Sequence, residues 1–212
     1  MKIGVNEAEN YGSNGGGGFF SLKDDKDTAQ VRFLYDSIED VEGFAVHEIE
    51  IDGKKRAVNC LREYGAPVDD CPFCKRGDAV RVKYYVPLVQ IKDGKTVLWE
   101  RGKKFGQKLS SMCSRYPHLY QHIFEIERNG KAGDQQTTYE IYEIEKDENV
   151  KLDDFEIQNP LGTVVLDKTA EDMQYFIDRG VFMNDSSNGN SRNNTSEPIR
   201  RTPSSGGRRE VF

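Results

Sequence analysis

The sequence has no run of apolar residues approaching the ~20 that a helix needs to cross a bilayer, so a helical membrane span is excluded. It contains no G-x-S-x-G, P-loop or H-E-x-x-H pattern, and its acidic residues show no paired acid/base spacing. An enzyme is therefore not expected; the remaining catalytic option is a nucleophilic Cys71 or Cys74 beside a histidine base. The opening stretch MKIGVNEAENYGSNGGGG lacks the apolar core of a signal peptide, which predicts a cytoplasmic protein, in the host cell if it is viral. Cysteines number only four. In a reducing compartment they argue for thiols or metal ligands rather than a disulfide framework.

What is present is polar but within the globular range: 212 residues, 36% hydrophobic and 31% charged. A body of ~150 residues can bury roughly two-thirds of its unfolded surface. The net charge of −6 speaks against a nucleic-acid partner, but its distribution points the other way. Residues 1–52 carry −8, residues 53–131 carry +9, residues 132–185 carry −10 and residues 186–212 carry +3. Such segregation predicts a basic working surface set between acidic segments.

Residues 1–18 read as a flexible arm and residues 184–212 as a disordered tail, both Gly/Asn/Ser-rich. Between them the pattern is mainly strand. Phe44–Ile51 alternates and Asp52-Gly53 signals a tight hairpin returning through Arg56–Arg62. Asp93-Gly94 marks a second hairpin between Tyr84–Ile91 and Lys95–Arg101. Phe105, Leu109, Met112, Cys113 and Tyr116 recur at helical spacing and stop at Pro117. His122–Glu127 and Thr137–Glu145 alternate again, and a last helix runs from the N-cap Thr169 to Arg179, closed by Gly180. The predicted fold is a five-stranded Greek-key barrel of OB type over residues 19–183, with a metal-binding hairpin and knuckle inserted at about 44–80. A sandwich is the rival architecture.

The sharpest chemistry is His47, Cys60, Cys71 and Cys74. Cys71-Pro72-Phe73-Cys74 has the two-residue spacing that lets two thiolates share one tetrahedral ion. If Asp52-Gly53 forms a two-residue turn, residue 47 pairs with 58 and Cys60 lies diagonal to His47 on the same face, ~7–8 Å away. A four-residue turn would put the two directly opposite. Either way a hairpin and a knuckle complete a closed structural zinc site. His47 is its weakest member, with His118, His122 or Cys113 as substitutes, although Cys113 fits the core stripe of its helix better. Separately, a lone buried histidine is usually a hydrogen-bonded core residue, and a lone cysteine a small hydrophobe.

The basic middle block interleaves cations with rings, as single-strand binders do. Arg62, Lys75, Arg76, Arg81 and Lys83 lead into Tyr84 and Tyr85. Trp99 precedes Arg101, Lys103, Lys104, Phe105 and Lys108, and Arg115, Tyr116 and Arg128 follow. For each ring taken singly, core packing is the ordinary alternative; Tyr84 and Tyr85 must face opposite sides of their strand.

The order His47, Cys60, Cys71, Cys74 on a hairpin and knuckle ahead of a Tyr- and Lys-rich barrel resembles the gene 32 single-stranded-DNA-binding proteins of T-even phages. FFSLKDDKDTAQVRFLYD, VHEIEIDGKKRAVNCLRE, CPFCKRGD, VLWERG and FEIERNG are similar to phage single-strand binders more broadly, over about residues 19–145. That resemblance implies an OB fold, one structural zinc ion, sequence-tolerant binding of single-stranded DNA during replication, recombination and repair, and contacts with a phage helicase, polymerase or recombinase. Two features depart from it. Residues 1–20 lack the family's basic N-terminal segment, which argues against strong cooperativity and for weak or no self-association without DNA. The family's acidic tail is replaced by the basic RRTPSSGGRREVF. The competing expectation is a zinc-stabilised regulatory or protein-interaction factor acting on duplex DNA or RNA.

Overall fold

The computed structural model describes residues 18–134 and 136–183. The predicted tail at 184–212, and all of the predicted arm except Gly18, lie outside the described residues. Among the described residues no helix is long and apolar enough to cross a membrane.

The first strand, β1 (Thr28–Phe33), leads into the hairpin β2 (Gly43–Ile51) and β3 (Lys54–Asn59). Its turn is the two-residue one expected, because Asp52 and Gly53 both adopt positive φ, 51° and 71°, the twist that matches a right-handed strand pair. A short helix α1 (Pro72–Arg76) precedes β4 (Val80–Gln90) and β5 (Thr96–Gly102). Here the connection is longer than the sequence predicts: Gln90 N donates to Lys95 O at 3.0 Å, while Ile91 N leaves the hairpin to donate to Gln30 O. Helix α2 (Phe105–Arg115) buries Leu109 and Met112, followed by β6 (His122–Asn129) and β7 (Thr138–Lys146). The two-residue β8 (Val165–Leu166), parallel to β3, and α3 (Ala170–Arg179) end the described chain.

The protein is mainly β, built on one eight-stranded sheet that does not close, where the sequence predicted a five-stranded Greek-key barrel of OB type. The sheet branches at β4. Its first half pairs with β2 (Gly43↔Tyr84 to His47↔Val80) and its second half with β1 (Val31↔Gln90 to Phe33↔Leu88), while β5 pairs along its other edge from Lys83 to Val89. Pro87 sits at the switch. Leu34 N donates to Pro87 O at 3.0 Å, but proline has no N–H to return the bond, so that ladder ends there. Two branches result. One runs β5-β4-β1-β6-β7, with α2 between β5 and β6 in sequence; the other runs β4-β2-β3-β8.

Each branch has its own core. Val31, Phe33, Val86, Leu88, Trp99, Leu109, Phe124 and Ile126 fill the first. Ile49, Val58, Cys71, Phe73, Met173, Phe176 and Phe182 form a second around the knuckle. Val46, Ala57, Tyr85, Leu98 and Val165 form a third, between the branches. Helix α3 begins at the predicted cap: Thr169 Oγ1 accepts from Asp172 N at 3.2 Å. Thr169→Ala should cost about 1 kcal/mol in chemical denaturation, and an unchanged midpoint would mean that the cap does not hold this helix.

Candidate metal centre and basic surface

The hairpin register places two ligands by itself. His47 lies opposite Val58, and Cys60 N donates to Ala45 O at 2.9 Å, continuing the ladder one step beyond β3. Cys60 therefore stands diagonal to His47 on the same face, as the two-residue turn predicts. The other two ligands flank the start of α1. Cys71 is its N-cap, Pro72 occupies the first turn, and Gly77 ends the helix at φ 96°, a left-handed position where glycine carries no penalty. Pro fits that first turn because its missing N–H has no intrahelical acceptor there.

The four side chains converge. Cys60 Sγ and Cys74 Sγ are 3.6 Å apart, Cys71 Sγ and His47 Nε2 3.5 Å, and Cys74 Sγ and His47 Nε2 3.6 Å. All four ligand atoms lie within 4.8 Å of one another. Around a tetrahedral ion with S at ~2.3 Å and N at ~2.0–2.1 Å, sulfur pairs stand about 3.8 Å apart and S–N pairs about 3.6 Å. The cluster fits one metal ion such as zinc. Four protein ligands leave such an ion no open position, which is the pattern of a structural site.

The surroundings suit thiolate ligation. His47 and Cys71 are fully buried, whereas Cys60 and Cys74 are half-buried. Burial pushes the Cys74 thiol up to about 12, helped by the neighbouring Cys60 and Cys71. Burial acts upward on Cys71 too, but backbone donors at Cys74, Leu61 and Phe73 outweigh it and hold that thiol below its ordinary value. Burial lowers the His47 pKa, keeping the ring neutral as a ligand must be. The ring packs edge-on against Phe73 at 5.5 Å.

Helix α3 closes the site from outside the predicted 44–80 insert. Met173 Sδ lies 4.0 Å from Cys71 Sγ, and Phe176 meets Phe73 edge-on at 6.0 Å. Sequence reading located this helix but not its packing partner; the usable signal was Met173 and Phe176 at i, i+3 on one face. The substitute ligands are engaged elsewhere. His118 bonds Asp36, His122 bonds Glu143, and Cys113 packs against the first core.

The predicted DNA-contact residues divide sharply. Three are not on the surface: Tyr85 (4% exposed), Trp99 (2%) and Arg128 (9%). Tyr85 lies in the third core, where burial raises its hydroxyl pKa to about 12. Arg128 is tied to Gly130 O, Leu22 O, Tyr139 Oη, Lys131 O and Thr137 Oγ1. Others are engaged in ion pairs: Lys83 with Glu48 and Glu100, Arg81 with Glu48, Arg76 with Asp78, and Lys75 with Asp69. Arg62 and Tyr116 are half-buried, and Tyr116 packs on Phe124. Arg115 is exposed.

One group does assemble. Where β5 ends and α2 begins, Lys103 and Lys104 are exposed, with Arg101, Phe105, Lys108 and Tyr84 half-buried around them. Tyr84 pairs with Arg101 across the strands, and its ring reaches the first turn of α2 because Gly106 has no side chain to block it. Tyr139 of β7, which sequence reading missed, joins this group. Its ring meets Trp99 at 5.1 Å, and its carbonyl accepts from Lys108 Nζ at 2.6 Å. Burial lowers the Lys108 pKa, partly opposed by Glu140.

No protein-family model matches the chain, and no curated protein sequence matches it.

Because Cys74 carries its proton near neutrality in the absence of an ion, ligation must expel protons. Metal affinity should therefore fall as pH falls. Calorimetric titration in buffers of different ionisation enthalpy should show proton release; metal uptake without it would contradict the thiolate assignment. Cys74→Ser should abolish stoichiometric metal binding and lower the melting temperature, since a structural zinc site contributes ~10–16 kcal/mol of apparent binding free energy.

Proposed function

We propose that the protein binds single-stranded DNA without reading its sequence, on an OB-type barrel braced by one zinc ion, and that it protects and organises unpaired strands during replication, recombination and repair. The observation that carries this reading is the grouping of Arg101, Lys103, Lys104 and Lys108 with Tyr84, Phe105 and Tyr139 at one end of β5. Cations that follow a backbone and rings on which bases stack are the two components of a sequence-tolerant single-strand site.

The topology supports it. Strands β1, β4 and β5, then α2, then β6 and β7, pair in the order β5-β4-β1-β6-β7. This is the OB order with its last pairing, β5 to β7, made by side chains instead of a ladder. In OB domains oligonucleotides lie over the second and third strands, flanked by the loops after the first and fourth. Here those strands are β4 and β5. The first flanking connection holds the metal centre, and the second is residues 130–137. The ligand order shared with the gene 32 proteins points the same way.

A second reading is a zinc-stabilised regulatory or protein-interaction factor acting on duplex DNA or RNA. It is favoured by the metal-anchored loop, where Tyr64 is fully exposed and Val68 is 50% exposed.

Titration with labelled oligo(dT) separates the two. Contact with ~4–6 phosphates should give a slope of log K against log salt of about −3 to −4, with a duplex of equal length bound far more weakly. Lys103→Ala with Lys104→Ala should make the slope shallower by about 1.4. A near-zero slope, or a preference for duplex, contradicts single-strand binding.

A further inference from the structure

Three arginines of the first branch are buried or half-buried, and their fates differ. Arg32 donates to Tyr120 O and Gln121 O and pairs with Asp147 at 3.8 Å. Arg128 makes five hydrogen bonds. The Arg101 side chain has, among the described residues, neither a hydrogen bond nor a carboxylate partner. Its guanidinium is held instead by rings: Cζ lies 4.4 Å from the Tyr139 centroid, 4.7 Å from Trp99 and 5.9 Å from Phe105. It sits at the seam where β5 and β7 approach without a ladder.

Stacking on ring faces fixes the plane of a guanidinium but uses none of its five N–H donors. The donors are left pre-oriented at a half-buried site, with no protein partner among the described residues. The ligand matching a planar fork of donors is an oxyanion, bound bidentately. The adjacent cations Lys103 and Lys104 favour a group of high negative charge density, repeated along a chain.

We propose that Arg101, seated on Tyr139 and Trp99, is a phosphate clamp. It grips one phosphate of a polyphosphate or phosphodiester chain while Lys103 and Lys104 meet the next. This rests on the single-strand reading for the identity of the natural chain but not for the chemistry of the clamp. Tyr139 is its positioning residue: it orients the guanidinium and need not touch the phosphate.

Trp99 is the only tryptophan and touches the clamp, so its emission reports occupancy. The full chain and its Arg101→Gln, Arg101→Lys and Tyr139→Leu variants would be titrated with inorganic tripolyphosphate, with oligo(dT) and with an oligo-glutamate peptide. Intact metal content and circular dichroism would first show that each variant is folded. The expected result is a Trp99 response to tripolyphosphate and oligo(dT) but not to the peptide. Arg101→Gln should weaken oligo(dT) at least tenfold and flatten the salt slope by about 0.7, the loss of one phosphate contact. Arg101→Lys should keep the slope yet bind more weakly, having charge but no fork. Tyr139→Leu should weaken binding several-fold at unchanged slope, a pattern that loss of a charge contact does not give.

Unchanged affinity and slope in Arg101→Gln, with oligo(dT) still bound, would overturn the clamp and leave single-strand binding standing. An Arg101-dependent response to tripolyphosphate without any binding of oligo(dT) would do the reverse. Equal competition by oligo-glutamate would overturn the phosphate assignment in favour of a carboxylate site. No response of the wild type to tripolyphosphate or oligo(dT) would overturn both.

Discussion

Four ligand atoms from three chain segments converge on one point, and the remaining architecture is arranged around that convergence. His47 comes from a strand, Cys60 from the end of its hairpin partner, and Cys71 and Cys74 from a five-residue helix that could not hold itself together. The core around them is small, with Phe73, Met173, Phe176 and Phe182 as its main apolar content. A domain part this small has too little apolar surface to fold without a staple, and a metal ion held by these four ligands would supply one. The staple also reaches the first branch of the sheet, because β2 is in register with the first half of β4 and the second half of β4 pairs with β1. An ion bound there would thus brace, through the one continuous strand β4, the surface proposed to meet DNA.

Charge is arranged to the same end. Much of the basic middle block is neutralised locally, as Lys83 is between Glu48 and Glu100. Arg101, Lys103, Lys104 and Lys108 lie together where β5 runs into α2, while Lys54, Lys55 and Arg56 are exposed on the β2–β3 hairpin. Across the sheet, the outer side of β6 and β7 carries Glu125, Glu127 and Glu140, which together raise the pKa of Tyr142, its hydrogen bond to Glu140 leading. Such an acidic side would repel a polyanion and favour its approach to the proposed basic surface.

The local signals in the sequence were readable where a single physical rule decides them. Asp52-Gly53 permits one kind of turn, Thr169 with Asp172 makes one kind of cap, and the register of the first hairpin then follows by counting. What could not be read was which face of a strand becomes interior. Trp99 and Arg101 share a face of β5, yet one is buried in the core and the other lies at its mouth; alternation gives both the same parity. Arg128 looked like a surface cation because alternation does not show that the segment after it, from Gly130 to Tyr139, folds back with Leu22 to bond its guanidinium. Tyr139 sits in an acidic stretch and gained meaning only when β7 came to face β5. The branching of the sheet was hidden likewise: Pro87 is plain in the sequence, but its effect depends on which neighbour its missing N–H would have met.

The metal centre is the feature from which the others follow, and X-ray absorption at the zinc edge of the purified protein probes it without intermediaries. One ion per chain is expected, with a first shell of three sulfurs at about 2.3 Å and one nitrogen at about 2.0 Å. A shell dominated by nitrogen or oxygen, or a folded protein with no bound metal at all, would contradict a structural zinc site.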